Sequence, residues 1–236
     1  MLTIYWLSGK ITLLFNWKVF ILSRKAGCIP EETKTQLLKS AAEEFSAYGF
    51  QKSSLRRICA KANVTTGALY FFFQDKEDLF SQVISPAIDR IYKIIETHYE
   101  KEVSSPDESV IRGEDEDFRA CSEILSFYYQ NKMICDIILN HQDHPAIAAF
   151  FNHVIELMDD QTIQLLKFTG IAMHSTQTFS DYTIHWFSHL QMDSILNIIF
   201  HCSNEEQAKE NLKTMIRFLR GGFFALLPDE FISNLK

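Results

Sequence analysis

The sequence predicts an all-α protein, and three observations support that class. Apolar residues recur at three- and four-residue spacing through most of the chain, as on the buried face of a helix. Only 8 Gly and 5 Pro occur among the 236 residues. No strand-like alternation and no internal repeat stands out. We therefore expect a compact helical protein with ample material for a core.

Residues 2–22 are apolar over a length that can cross a bilayer, but Lys10, Asn16 and Lys18 interrupt them. A lysine at the centre of a membrane span costs about 3 kcal/mol. No small-residue cleavage site follows. Three interpretations remain open: a translated upstream region with a later true start, an amphipathic or partner-binding helix, or a membrane anchor.

The first confident helix is predicted from Glu31 to Tyr48, because one apolar face runs along it and two glutamates suit the positive end of its dipole. Gly49 followed by Phe50 is typical of a helix C-terminus. The apolar face consists of Leu37, Leu38, Ala41, Ala42, Phe45 and Tyr48.

A helix-turn-helix motif is predicted over residues 54–73. Its first helix has an inward stripe, and its corner is Ala62-Asn63-Val64, where Asn tolerates the left-handed conformation. Thr65 or Thr66 can cap a second helix from Thr66 to about Phe72. With residues 31–48, these helices make a small three-helix unit whose last helix is expected in a DNA major groove.

The segment TTGALYFFFQDKEDLF, preceded by SSLRRICAKANV, resembles the DNA-binding segment of TetR-family transcriptional regulators. The resemblance covers residues 32–80. Asn63 departs from the family pattern, which usually has Gly there, and Phe72 stands where a phosphate-contacting His is common. The positions that fit the pattern are Gly67, Leu69, Tyr70, Phe73, Lys76, Glu77 and Leu79.

The predicted DNA-contacting residues lie at the front of the second helix and beside it. Front-turn and outward residues are expected to meet base edges, and Ser53 and Ser54 to cap the first helix and touch phosphate. Arg56 is the preferred cation for a groove contact. The resemblance implies a phosphate or base contact for Tyr70 and a phosphate contact for Lys76. The full set is Ser53, Ser54, Arg56, Thr65, Thr66, Gly67, Ala68, Tyr70, Phe71 and Lys76.

Charge is unevenly distributed along the chain, whose net charge is -7. Residues 1–30 carry four basic groups and no acids, residues 31–80 carry seven of each, and residues 81–236 carry 12 basic and 23 acidic groups. An acidic C-terminal body is expected to stay away from DNA while the N-terminal end approaches it.

Asp75 and Asp78 can cap a helix that we expect to run to about Tyr99, with a kink or register break near Gln82 because of Pro86. Residues 102–117 are expected to form a solvated acidic loop. Further helices are predicted at about 118–130, 132–141, 145–170, 181–201 and 205–227. The last two carry apolar residues on more than one side, and the resemblance implies that they form a four-helix homodimer interface.

An effector cavity is expected between the C-terminal helices. The residues proposed to line it are Phe127, Tyr128, His141, Phe151, His185 and His189. No metal site and no cofactor are predicted, because neither of the two histidine pairs, His141 with His144 and His185 with His189, has a third ligand at firm spacing. The five cysteines are far apart, which favours buried thiols in a reducing cytoplasm.

We expect an N-terminal extension over residues 1–30, a DNA-binding domain over 31–91 and an effector-binding and dimerisation domain over 92–236. The predicted function is a cytoplasmic, non-enzymatic transcriptional regulator, more specifically a repressor released from a palindromic operator by a small molecule. Two alternatives remain: a membrane-tethered regulator of the same type, and a helical metal-dependent hydrolase that uses the histidines.

Overall fold

The computed structural model describes residues 30–104, 115–168 and 180–226, and helices are the regular elements throughout these ranges. The predicted all-α class is confirmed. The expectations for residues 2–22 concern residues outside this part of the chain. In order, the helices are α1 (Pro30–Lys52), α2 (Leu55–Lys61), α3 (Thr66–Phe72), α4 (Lys76–Ser104), α5 (Asp115–Gln130), α6 (Lys132–Leu139), α7 (Pro145–Phe168), α8 (Asp181–His201) and α9 (Glu205–Ala225).

Helix α1 is interrupted at Gly49, where φ is +71°. Residues with a side chain rarely adopt this backbone conformation, so glycine is the residue that lets the chain turn there. The turn brings Phe50 back onto the core, with its ring centroid 6.1 Å from that of Phe45 and 4.9 Å from that of Phe80. The predicted helix end with its hydrophobic contact is confirmed.

The front unit consists of α1, α2, α3 and the start of α4, packed around one apolar core. The core continues into α6 and α7 through Ile137, Ile138, Ile147 and Phe150, so the front unit and the rest of the chain share buried contacts. Its fully buried large side chains in the front unit are Leu37, Phe45, Ile58, Leu69, Phe73, Leu79, Phe80 and Ile84.

Helix α4 runs unbroken through Pro86 to Ser104. Of the kink or register break predicted near Gln82, the register break does not occur, and the helix ends at Ser104 rather than near Tyr99. Pro86 is exposed, so the hydrogen bond it removes lies on the solvent side. Buried Ile84, Ala87 and Ile94 hold the helix against its neighbours on either side of the proline.

The C-terminal body consists of α5 to α9 around a second apolar cluster. Its helices begin and end within a few residues of the predicted positions. Asn204 caps α9 by accepting a hydrogen bond from the Gln207 amide at 2.9 Å, as predicted for this segment. Within the described ranges, no helix combines the length and the apolar character needed to cross a membrane. The cluster contains Leu125, Tyr128, Cys135, Ile198, Ile199, Ala208, Leu212 and Ile216.

Candidate nucleic-acid interface and internal cavity

The turn between α2 and α3 is closed by backbone hydrogen bonds around Asn63, whose φ is +56°. The Val64 amide donates to the Cys59 carbonyl at 3.0 Å, and the Asn63 amide donates to the Ala60 carbonyl at 3.2 Å. These bonds satisfy carbonyls that the end of α2 leaves unpaired. The prediction that Asn63 takes the left-handed conformation in place of Gly is confirmed.

Helix α3 begins at a threonine cap and is fixed from below by two apolar side chains. The Thr65 hydroxyl accepts a hydrogen bond from the Ala68 amide at 3.2 Å. Leu69 and Phe73 are 0% and 1% exposed. Because cap and anchors together fix both ends of this seven-residue helix, its outer face is held in one orientation.

The outer face of α3 presents polar and aromatic side chains to solvent. Thr65 and Thr66 are exposed, and Tyr70 and Phe71 are 55% and 77% exposed. A Cβ added at Gly67 would meet only the Thr65 hydroxyl, at 3.9 Å. The packing of the chain itself therefore does not require glycine here, whereas close approach of a second molecule would. Ala68 is half-buried beside this face.

Ser53 and Ser54 do not cap α2 with their side chains, so the predicted capping is wrong. Ser53 is buried and donates its hydroxyl to the Phe50 carbonyl at 2.7 Å. Ser54 stands at the cap position without a side-chain cap bond. The Glu44 carboxylate of α1 instead bonds the start of α2, because it accepts hydrogen bonds from the Ser54 amide at 2.9 Å and from Arg57 Nε at 2.8 Å.

Glu44 is 7% exposed, and its pKa reflects opposing influences. Burial raises the pKa of this carboxyl, but the hydrogen bonds from Arg57 and Ser54 and the Arg57 charge outweigh burial, so the pKa lies below its ordinary value. An ionised Glu44 thus joins α1 to the start of α2 at neutral pH.

The basic residues near α3 differ in their freedom. Arg56 is exposed, whereas Arg57 pairs with Glu44 and lies 4.4 Å from the centroid of the Tyr48 ring. Lys76 donates to the Gln51 carbonyl at 3.2 Å, and burial lowers the pKa of its ammonium group. The Lys76 ammonium group is therefore positioned at the start of α4 by the chain's own contacts.

A cavity of about 280 Å³ lies inside the C-terminal body, lined by residues of α4 to α9. Predicted effector residues Phe127, Tyr128 and Phe151 line it, whereas His141, His185 and His189 do not. Most of its wall is apolar, with side chains such as Ile95, Ile124, Phe150, Met192, Leu219 and Phe223.

The cavity wall also contains a cluster of charged and titratable side chains that was not predicted from the sequence. The Arg220 guanidinium bonds the Asp117 carboxylate, and His98 Nε2 lies 3.6 Å from the other oxygen of Asp117. Burial by itself raises the pKa of the Asp117 carboxyl. The hydrogen bonds and charges of His98 and Arg220 lower it by more, so the pKa lies below its ordinary value. Asp117 had been assigned to the solvated acidic loop. It instead lies in the first turn of α5. Its contact with Arg220 could not be predicted, because the two residues are far apart in the sequence.

His141 and His144, between α6 and α7, connect the body to the front unit. His141 Nε2 accepts a hydrogen bond from the Phe50 amide at 3.0 Å, while its Nδ1 lies 2.8 Å from the Ile137 carbonyl. His144 is buried and pairs with Glu77 at 2.8 Å. From the sequence, a place in the effector cavity was predicted for His141, and a metal site was not predicted for either histidine. No group of three or more potential metal ligands is gathered within the part of the chain that the structure describes.

Comparison with known proteins agrees with this architecture. Residues 37–83 match the family model described as "Bacterial regulatory proteins, tetR family". The HTH-type transcriptional regulator YdgC of Bacillus subtilis (strain 168) is 38% identical over 66 residues, which are 28% of this chain and 34% of that protein. The chain therefore matches about a third of the length of that relative.

Longer alignments are more distant in sequence. The HTH-type transcriptional regulator UidR of Escherichia coli (strain K12) is 24% identical over 185 residues, covering 76% of this chain and 86% of that protein. A TetR-family regulator from Bordetella parapertussis 12822 has the same fold, with a TM-score of 0.59 at 16% identity over 84% of this chain and 99% of that one.

The multidrug binding protein EbrR, solved in complex with malachite green, has a TM-score of 0.56 at 14% identity and covers 83% of this chain and 98% of its own. The matched helix-turn-helix segment carries the family pattern, and the whole described chain has the fold of solved TetR regulators. Residues 37–83 therefore carry a DNA-binding segment of the TetR type.

Proposed function

We propose that this protein is a transcriptional repressor that binds a palindromic operator as a homodimer and is released when a small molecule fills the internal cavity. The observation that carries the proposal is the outer face of α3, where exposed polar and aromatic side chains stand on a helix fixed by a cap and buried anchors. A rigid, narrow helix of this kind fits a major groove.

In the proposed complex, Thr65, Thr66 and Gly67 lie at base edges, Tyr70 reaches a phosphate or base, and Phe71 contacts thymine methyl groups. Arg56 supplies an exposed cation beside α3, and Lys76 supplies a phosphate contact. Ser53 drops out of this set because its hydroxyl is committed to Phe50. The sum of phosphate contacts predicts that binding weakens steeply as salt rises.

Helices α8 and α9 supply the proposed dimer surface. Both carry large exposed apolar side chains, including Tyr182 at 78% and Phe218 at 72% exposure. Gly221 and Gly222 on α9 are exposed, and a Cβ at either would meet nothing within 4 Å. Small residues beside large apolar ones allow two helices to approach closely, which supports burial of this face against a second copy.

The proposed effector is a largely apolar molecule with a polar group, because most of the cavity wall is apolar and its charged side chains include Asp117 and Arg220. Binding of malachite green by the structurally similar EbrR supports a small-molecule role for such a cavity. The cavity wall includes Ile138 and Leu139, which directly precede the turn that holds His141 against Phe50. A ligand that displaces α6 would therefore move a contact of the front unit.

The test is an electrophoretic mobility shift with the DNA upstream of the protein's own gene, at low and at moderate salt. The double variant Thr66→Ala/Tyr70→Ala is expected to lose at least tenfold in affinity, because it removes two groups from the reading face. Asn152→Ala, an exposed change on α7, is the matched control and should bind as the wild type does. Unchanged binding by the double variant would contradict the assigned face.

A further inference from the structure

We propose that His185 and His189 on α8 form a binding site for a late first-row divalent transition-metal ion, such as Cu²⁺, Ni²⁺ or Zn²⁺. The site is separate from the cavity and from α3. In the sequence, neither residue has a third protein ligand at the spacing of a known metal motif. Three features of the structure support a site with two protein ligands instead.

The first feature is the spacing of the two imidazole Nε2 atoms. His185 and His189 are four residues apart on one helix face, and their Nε2 atoms lie 3.2 Å from each other. Two nitrogen ligands at about 2.0–2.1 Å from a tetrahedral ion are separated by about 3.3 Å. The two rings thus already hold their nitrogens at chelating distance.

The second feature is a carboxylate behind the first ligand. Asp159 of α7 lies with one carboxylate oxygen 2.8 Å from His185 Nδ1. A carboxylate that accepts the second ring N–H of a histidine fixes its tautomer, leaves Nε2 available for the metal and raises its basicity. Asp159 Oδ1 is buried and, among the described residues, has no hydrogen-bond partner. The Asp159 carboxylate can therefore accept a stronger hydrogen bond from His185 Nδ1–H when a metal binds at Nε2.

The third feature is access. The His185 side chain is 55% exposed, and His189 is exposed beside it, so water can complete the coordination. Neutral imidazoles with water favour borderline ions, and affinity in such sites rises from Mn²⁺ through Ni²⁺ to Cu²⁺ and is lower for Zn²⁺. Mg²⁺ and Ca²⁺ prefer oxygen ligands and are not expected to bind.

Metal binding at this site would also strengthen the contact between α7 and α8. A metal-bound imidazole is a better donor from Nδ1, so the hydrogen bond from His185 to Asp159 would become stronger. The site lies on the same exposed face of α8 as Tyr182 and Trp186, two residues of the proposed dimer surface. A ratio of one metal per chain indicates completion by water, and one metal per two chains indicates completion by the second copy.

The experiment is isothermal titration of untagged, metal-free, full-length protein with ZnCl₂ and with CuCl₂. We expect saturable binding, tighter for Cu²⁺, at least tenfold weaker binding in His185→Gln and in His189→Gln, and about tenfold weaker binding in Asp159→Asn. His201→Gln, an exposed change at the end of the same helix, is the matched control and should bind as the wild type does.

A second measurement does not depend on the heat of binding. Cu²⁺ bound by imidazole nitrogens gives a characteristic nitrogen-coupled electron paramagnetic resonance spectrum, which should vanish in His185→Gln/His189→Gln. Circular dichroism of each variant establishes that its helices are retained. Absence of Cu²⁺ and Zn²⁺ binding by the wild type, or binding equal in the wild type and the double variant, would overturn the proposal.

Discussion

The front unit and the C-terminal body are both helical, yet their interiors are built differently. In the front unit the Phe45 and Phe80 rings meet edge to face at 5.0 Å, and the large side chains around them are almost fully buried. In the body, α4 to α9 surround a cavity of about 280 Å³. A close-packed interior resists deformation, whereas an interior with a cavity can rearrange around a ligand. This contrast agrees with the proposed function, in which a rigid front unit binds DNA and a deformable C-terminal body binds the ligand.

The largest expected effect comes from removing one phenylalanine in each interior. Phe80→Ala should lower the free energy of unfolding by about 3–5 kcal/mol, because the ring is fully buried and its neighbours cannot collapse into the space. Phe151→Ala should cost only about 1–2 kcal/mol, because this half-buried ring already faces the cavity.

Urea denaturation followed by circular dichroism measures both changes. The identical chemistry of the two substitutions makes each the control of the other. Equal losses would contradict the contrast between a close-packed front unit and a body with an adaptable interior. A ligand of the cavity, once found, should bind Phe151→Ala differently from the wild type and leave the effect of Phe80→Ala unchanged.

The second expected effect concerns the buried carboxylate of the front unit. The folded-state pKa of Glu44 lies below the ordinary value of 4.5, so its contribution to stability is present at neutral pH and is lost as pH falls through the folded-state pKa. Glu44→Gln should cost about 1–3 kcal/mol at pH 7, because it leaves the contact with Arg57 without its charge. The two proteins should converge in stability once the pH has fallen through the folded-state pKa of Glu44.

The matched control for Glu44→Gln is Glu43→Gln. Glu43 pairs with Lys61 at the surface, where solvent screens the charges, so its loss should leave unfolding at pH 7 unchanged within error. Chemical denaturation at several pH values gives the comparison. A constant difference between wild type and Glu44→Gln from pH 7 down to pH 3 would show that ionisation of Glu44 is not what joins α1 to α2.

The third effect tests how the two regions are joined. His141→Leu removes the acceptor of the Phe50 amide, which should raise the hydrogen-exchange rate of that amide at least tenfold, equivalent to about 1.4 kcal/mol. His201→Leu changes an exposed histidine and should leave the Phe50 exchange rate unaltered. Equal exchange rates in the two variants would mean that His141 does not couple the body to the front unit.

Sequence patterns predicted the front unit closely because its determinants are local. Asn63, Thr65 and Leu69 act within a few residues of one another, through a left-handed turn, a cap and an inward side chain. The capping role given to Ser54 was wrong, and the side chain that bonds the start of α2 is Glu44, ten residues away on the neighbouring helix. Local propensity contains no information on such a competitor.

The interior of the body was less predictable because its determinants are distant in sequence. Asp117 and Arg220 are separated by 103 residues, and the apolar spacing of each helix does not show which two charges will meet. Similarly, nothing in the spacing of His141 indicated that its partner would be the Phe50 amide, 91 residues away. Periodicity identifies a buried face, but the packing of helices decides what that face meets.

The smallest effect distinguishes the two regions by matched helix caps. Thr65 and Ser180 each accept a hydrogen bond from the amide three residues on, both at 3.2 Å, at the start of α3 and of α8. Thr65→Ala and Ser180→Ala should each cost about 1 kcal/mol in thermal unfolding. Only Thr65→Ala should also weaken DNA binding, because the first turn of the seven-residue helix α3 belongs to the proposed DNA-contacting face, whereas the 21-residue helix α8 lies in the body. Thr65→Ser keeps the cap and should retain both stability and binding. Loss of DNA binding in Ser180→Ala as large as in Thr65→Ala would show that the body, rather than the first turn of α3, limits recognition.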